Sequence, residues 1–84
     1  MIISSGTDLN TIVKVGLYSV NNPKNAPVGC AAGWSNIIVL QAGGNIEFPT
    51  QILMHHDIST EINIYVRIAQ QSNFTKWYKF SPDK

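Results

Sequence analysis

Glu61-Ile62-Asn63-Ile64-Tyr65-Val66-Arg67-Ile68-Ala69 alternates aliphatic residues with polar or aromatic ones along its whole length. Successive side chains of an extended chain point to opposite faces, so Ile62, Ile64, Val66 and Ile68 share one face and Asn63, Tyr65 and Arg67 the other. A helix would instead need apolar residues three and four apart. From Gly16 onward no such stripe runs free of Gly, Pro or Asn breakers. The stretch is a strand, and it sets the class of the fold as all-β.

The neighbouring sequence extends this reading in both directions. Upstream, His56-Asp57-Ile58-Ser59-Thr60 reads as a turn, and Ile46 to His55 as the partner strand, with Pro49 marking an edge position or a bulge. Ala42-Gly43-Gly44-Asn45 is a hairpin signature, with glycine where positive φ is wanted. Gly33 to Gln41 is the strand before it, and the unbroken aliphatic run Ile37-Ile38-Val39-Leu40 implies burial on both faces. Asn21-Asn22-Pro23-Lys24-Asn25-Ala26-Pro27 cannot continue a ladder, so residues 21–32 form a long loop after a short strand at Gly16 to Val20. Before it, Asp8 can cap one helical turn at Leu9 to Ile12, and Gly16 stops whatever starts there. Downstream, Gln70 to Asn73 is a polar turn and Phe74 to Phe80 a last, aromatic strand. The expected architecture is a small antiparallel sheet or sandwich of about five strands with at most one short helical turn. It occupies residues 1–84 as one domain, with 1–7 and 81–84 as flexible ends.

Composition narrows the function. The 84 residues carry a net charge of +1, and only 13 % are charged, so there is no clustered basic footprint for nucleic acid. No apolar run is long enough for a membrane-spanning helix, and no membrane insertion is expected. Met1 to Gly6 has no basic region ahead of an apolar one, so it does not read as a signal peptide but as the edge of a fragment. Cys30 is the single cysteine, which rules out an internal disulfide and fits folding in a cytosol. Between Gly29 and Ala31 it reads as a small buried hydrophobe rather than a reactive thiol. A surface this poor in charge suits contact with copies of itself or with neutral ligands such as glycans.

Chemistry-bearing residues are sparse. His55-His56-Asp57 would attract a metal, but adjacent strand residues face opposite ways and a structural zinc site needs four ligands. The better reading is a strand end entering a turn, with an intersubunit metal held by imidazoles of several chains as a minor alternative. The acids Asp8, Glu47, Asp57, Glu61 and Asp83 form no close pair in sequence, although neighbouring strands could unite Glu47 with Glu61. No catalytic residues, metal or cofactor are expected, and the chain does not read as an enzyme. Of the aromatics, Trp34 and Phe48, with Phe74 or Trp77, are expected to fill the core, and Tyr78 to be exposed by alternation with Trp77. Arg67 and the lysines are scattered, as for a solvated surface, with Tyr65 and Arg67 neighbours on one strand face. The Asn-rich loop at 21–25 is a candidate ligand loop.

Taken in order, certain residues resemble a known family. Asp8-Leu9-Asn10 precedes Gly16-Leu17-Tyr18; Asn25-Ala26-Pro27 is followed by Gly29; Gly33-Trp34 heads an apolar strand; Gln51-Ile52, Ile64-Tyr65-Val66-Arg67 and Phe74-Thr75-Lys76-Trp77 follow. This set, from Asp8 to about Lys79, resembles the pyocin-knob domain of phage tail fibres, tailspikes and phage-tail-like particles. Cys30-Ala31-Ala32 and the aromatic Trp77-Tyr78-Lys79-Phe80 depart from the family pattern. The resemblance implies a non-catalytic structural or receptor-binding module in a virion fibre or tailspike, trimeric in its parent protein and contacting a bacterial surface glycan or receptor. The alternative is a carbohydrate-binding accessory domain of a phage depolymerase or hydrolase whose catalytic part lies elsewhere. Candidate binding residues are Tyr78, Trp77, Tyr65, Arg67, Asn22 and Asn25.

Overall fold

The computed structural model describes residues 1–56 and 63–81. Among them, six strands form one antiparallel sheet: β1 (Gly16–Asn21), β2 (Trp34–Gln41), β3 (Pro49–His56), β4 (Ile64–Gln70), β5 (Asn73–Phe74) and β6 (Tyr78–Phe80). β1 to β4 lie side by side in chain order, and β5 and β6 both pair with β4. Among the described residues helical structure is confined to two 3₁₀ turns, Leu9–Thr11 and Ala42–Gly44. Asp8 caps the first of these, its Oδ1 accepting the Asn10 N–H at 2.9 Å. The turn predicted at 56–60 and the strand residues Glu61 and Ile62 lie outside the described residues, apart from His56, which ends β3.

The turns form where the sequence permits them. Gly43 (φ 61°) and Gly44 (φ 71°) carry the β2–β3 connection in the left-handed region that glycine enters without penalty. That connection runs on through Ile46 to Phe48, so β3 begins at Pro49 rather than at Ile46. Pro49 neither lies on an edge strand nor makes a bulge. It is the first residue of a central strand, where its missing N–H costs least.

The predicted last strand, Phe74 to Phe80, is broken in two. Phe74 lies opposite Ala69 and Tyr78 opposite Val66, so this chain advances four residues while β4 advances three. The extra residue makes a β-bulge, and it reverses which residues face inward. Trp77 packs against the core, while Tyr78 and Phe80 turn to the other side of the sheet.

The core lies on one face of the sheet. Val20, Ile37, Val39, Leu53 and Tyr65 project from β1 to β4 and meet Leu9 and Cys30 from the overlying loops. Ile3, Ile12, Ala26 and Trp77 close the edges of this cluster. Burial of each large aliphatic chain here is worth about 1.5–3 kcal/mol. Residues 1–6, expected to be a flexible end, run along the outer edge of β1: Ser19 N–H donates to the Met1 carbonyl, and the Ile3 and Gly6 N–H groups donate to the Ser19 and Asn21 carbonyls. The edge strand's hydrogen-bonding groups are thereby partly covered.

Three expectations about sidedness are corrected. Trp34, expected in the core, is 47 % exposed, because the in–out alternation that buries Ser35, Ile37 and Val39 turns Trp34 outward. Of the four aliphatics read as buried on both faces, Ile37 and Val39 are buried, whereas Ile38 is half-buried and Leu40 exposed. Arg67, expected on a solvated surface, is only 5 % exposed and faces the core beside Tyr65, while Ile64 and Ile68 face out. The period of two on β4 holds, and its polar side faces inward.

Candidate functional site

Arg67 organises the inner face at the β4 end of the sheet. Its Nε donates to Gln51 Oε1 at 2.7 Å, and Gln51 is directly opposite it on β3. Gln51 Nε2 donates in turn to the carbonyls of Leu9 (2.7 Å) and Ile12 (2.8 Å), tying the 3₁₀ turn to the sheet. The guanidinium carbon lies 3.9 Å from the Phe74 ring centre and 4.4 Å from that of Trp77. Both rings therefore hold the cation by cation–π attraction, in an arrangement that a planar guanidinium suits better than an ammonium. Nη2 is buried and has no hydrogen-bond acceptor among the described residues. Burial lowers the Arg67 pKa to about 10, and the charge of Asp8 opposes that shift.

A second set of contacts fixes the facing loop. Trp77 Nε1 donates to the Asn25 carbonyl at 3.0 Å, and Asn25 Nδ2 donates to Asp8 Oδ1 at 2.7 Å. Asn25 has φ 58°, a left-handed conformation that asparagine tolerates better than most residues. Hydrogen bonds from the Asn25 side chain and the Asn10 backbone hold the Asp8 carboxyl below the usual carboxylate range, with help from the charges of Arg67 and Lys24.

Between this loop and the bulged strand lies an open cleft of about 850 Å³. Asn10, Asn25, Ser72, Asn73 and Thr75 line it with amides and hydroxyls, and Ala26, Pro27, Val28, Phe74 and Trp77 with apolar surface. Arg67 and Lys79 supply positive charge, and no carboxylate is among the described lining residues. Such a wall offers hydrogen-bond donors and acceptors beside aromatic carbon, the combination that polyhydroxylated ligands require.

Of the candidate binding residues, Tyr65, Arg67, Asn25 and Trp77 come together at this cleft. Tyr78 is exposed, as its alternation with Trp77 predicts, but it faces the other side of the sheet, with Lys76 Nζ 5.3 Å from its ring centre. Asn22 also lies apart. Its Oδ1 accepts the Gly33 N–H (2.8 Å) and its own N–H donates to the Gly33 carbonyl (2.9 Å), so it closes the neck of the 21–33 loop. Gln51 and Phe74 were not singled out as site residues. The signal for Gln51 was its placement two residues before Leu53, hence on the core face, where a buried amide must find partners.

The remaining chemistry is modest. Cys30 is buried in the core. His55 Nδ1 lies 3.0 Å from Ser35 Oγ, and His56 is on the opposite face of β3. The Asp57 and Glu61 carboxylates weighed above lie outside the described residues. Among the described residues no three His, Cys, Asp or Glu side chains gather as a metal site. No protein-family model matches the chain, and neither a curated protein nor a solved structure is significantly similar to it. Fold and site together define a class, a single-sheet β module with a one-sided core and a cation–aromatic cleft at one end.

Proposed function

We propose that this chain is a non-catalytic recognition module of a bacteriophage tail fibre or tailspike, and that the cleft beside Arg67 takes a bacterial surface glycan. The observation that carries this reading is the composition of the cleft wall: amides and hydroxyls interleaved with Phe74 and Trp77, on a scaffold held by the Arg67–Gln51 and Trp77–Asn25 hydrogen bonds. Sugars are bound by such walls because their C–H faces meet aromatic carbon while their hydroxyls replace water on polar side chains. The positive balance of Arg67 and Lys79 favours saccharides bearing carboxylate groups. The ordered resemblance of Asp8 to Lys79 to the pyocin-knob domain supports the fibre setting.

The test is binding of the protein to an array of bacterial capsular and O-antigen oligosaccharides, neutral and acidic. It is repeated with Lys76→Ala/Lys79→Ala, two exposed positions whose replacement leaves the core intact. The reading expects retention of one or a few saccharides, weakened at least several-fold by the double substitution. A protein that retains none of them, or one whose binding ignores the substitutions, overturns it.

A further inference from the structure

Arg67 has more hydrogen-bonding capacity than its surroundings use. Only 5 % of the residue is exposed, yet Nη2 meets no acceptor among the described residues. Nε is committed to Gln51, while Phe74 and Trp77 offer ring faces rather than lone pairs. Asp8 contributes its charge from a distance, but its Oδ1 accepts from the Asn25 amide and the Asn10 N–H instead. A buried donor left unpaired costs about 1–3 kcal/mol, and more where the group is charged. Such a group in a stable fold calls for a partner from outside it.

Charge and shape together select that partner. A hydroxyl would satisfy the donor, but a carboxylate oxygen satisfies the charge as well, through a bond roughly twice as strong as a neutral one. The cleft has no carboxylate of its own among its described lining residues, and Lys79, opposite Tyr65 on β6, adds a second cation. Phosphate and sulfate carry the same sign of charge, so shape must separate them from carboxylate. The Phe74 and Trp77 ring centres, 3.9 and 4.4 Å from the guanidinium carbon, fill the space over its faces and leave its edge. A flat carboxylate can align with the guanidinium plane at that edge. A tetrahedral anion carries oxygens out of that plane, where the rings stand.

We propose that Arg67 is the acid-recognising residue of the cleft, its Nη2 donating to the carboxylate of a uronic-acid-type sugar. This rests on the glycan reading and narrows it from a preference for negative charge to one donor and one functional group. Gln51 acts as the positioning residue, because its bond to Nε fixes the guanidinium in the cleft wall. Since Nη2 is buried, an incoming oxygen reaches it only when the Phe74 or Trp77 ring turns aside. The Trp77 indole is bonded to the carbonyl of Asn25, itself a cleft residue, so occupancy of the site is felt at that ring.

The experiment changes the ligand rather than Arg67, which leaves the fold untouched. Capsular oligosaccharides containing uronic acid are titrated into the 84-residue chain, beside carboxyl-reduced forms of the same saccharides and beside phosphorylated and sulfated ones. Affinity is followed by Trp77 fluorescence in Trp34→Phe, and the Arg67 side-chain nitrogens by NMR of the ¹⁵N-labelled wild type. The expected result is that carboxyl reduction weakens binding at least tenfold and that phosphorylated and sulfated saccharides bind no better than the reduced ones. The uronic-acid saccharide is also expected to shift the Arg67 Nη signals and the Trp77 emission. Equal binding of the acid and reduced forms, equal binding of the tetrahedral anions, or Arg67 Nη signals that stay in place overturns the proposal and leaves the glycan reading standing. Binding of no saccharide at all overturns both.

Discussion

Arg67 and Gln51 face each other across β4 and β3, joined by a 2.7 Å hydrogen bond from Nε to Oε1 in the buried layer of the sheet. The amide is the adaptor between a cation and the loop above it, since it accepts from Arg67 and donates to the Leu9 and Ile12 carbonyls. No other uncharged side chain of that size both accepts and donates twice.

Gln51→Leu therefore removes an acceptor from a buried guanidinium and a donor shared by two carbonyls. A loss of about 3 kcal/mol is expected, from the cost of leaving such groups unpaired. Gln51→Glu destabilises as well, because a carboxylate accepts from Arg67 but cannot donate to Leu9 and Ile12. Urea denaturation of the two variants beside wild type measures both effects.

Arg67→Lys keeps the charge but loses the plane that lies between Phe74 and Trp77. Ammonium cannot stack on two rings and bond Gln51 at once, and a cost of about 2 kcal/mol is expected. The same substitution shifts Trp77 fluorescence, because the charge nearest that indole moves.

The two tryptophans should respond differently to a quencher. Trp34 is on the outer face, while Trp77 is half-buried with its indole N–H bonded to Asn25. Acrylamide is expected to quench Trp34 and to reach Trp77 less. Single Trp→Phe variants at 34 and 77 separate the signals, and Trp34→Phe changes stability by less than about 0.5 kcal/mol.

The carboxyl of Asp8 titrates below its ordinary value in the fold, owing first to its bond from Asn25 and then to that from Asn10. A depressed folded pKa means stability that is present above the unfolded pKa and is lost as pH falls through the folded one. Thermal unfolding from pH 7 to pH 2 should show an acid-dependent loss that is smaller in Asp8→Asn. An NMR titration of Asp8 that returns the model-peptide value would contradict this account.

Gly33 has φ 88°, and a Cβ there would lie 3.4 Å from the His56 carbonyl oxygen. Gly33→Ala is expected to cost about 1–2 kcal/mol through backbone strain. Gly16 is glycine for another reason. Its φ is not in the left-handed region, and an added Cβ would meet the Tyr18 hydroxyl at 3.1 Å, displacing a ring whose hydroxyl donates to the Lys14 carbonyl. Calorimetry on the two alanine variants compares the two costs.

Sequence by itself determined most of the elements, though not the start of β3 or the break between β5 and β6. The alternation through Ile64 to Ala69, the glycines at 43 and 44, and the Asp8 cap each act over a few residues, so strand, turn and 3₁₀ turn could be read from local steric and hydrogen-bonding rules. Part of the cleft was legible in the same way, because Tyr65 and Arg67 are two apart on one strand and must share a face. Which face is buried was a different matter. A period of two says only that alternate residues lie together, and aliphatic Ile64 and Ile68 would on their own be placed inside. The tertiary structure put Arg67 inside instead, because Gln51 from β3, Phe74 from β5 and Trp77 from the bulged link before β6 converge to satisfy its charge. A buried cation is tolerable only where such partners converge, and convergence of segments distant in sequence is decided by the packing of the whole sheet.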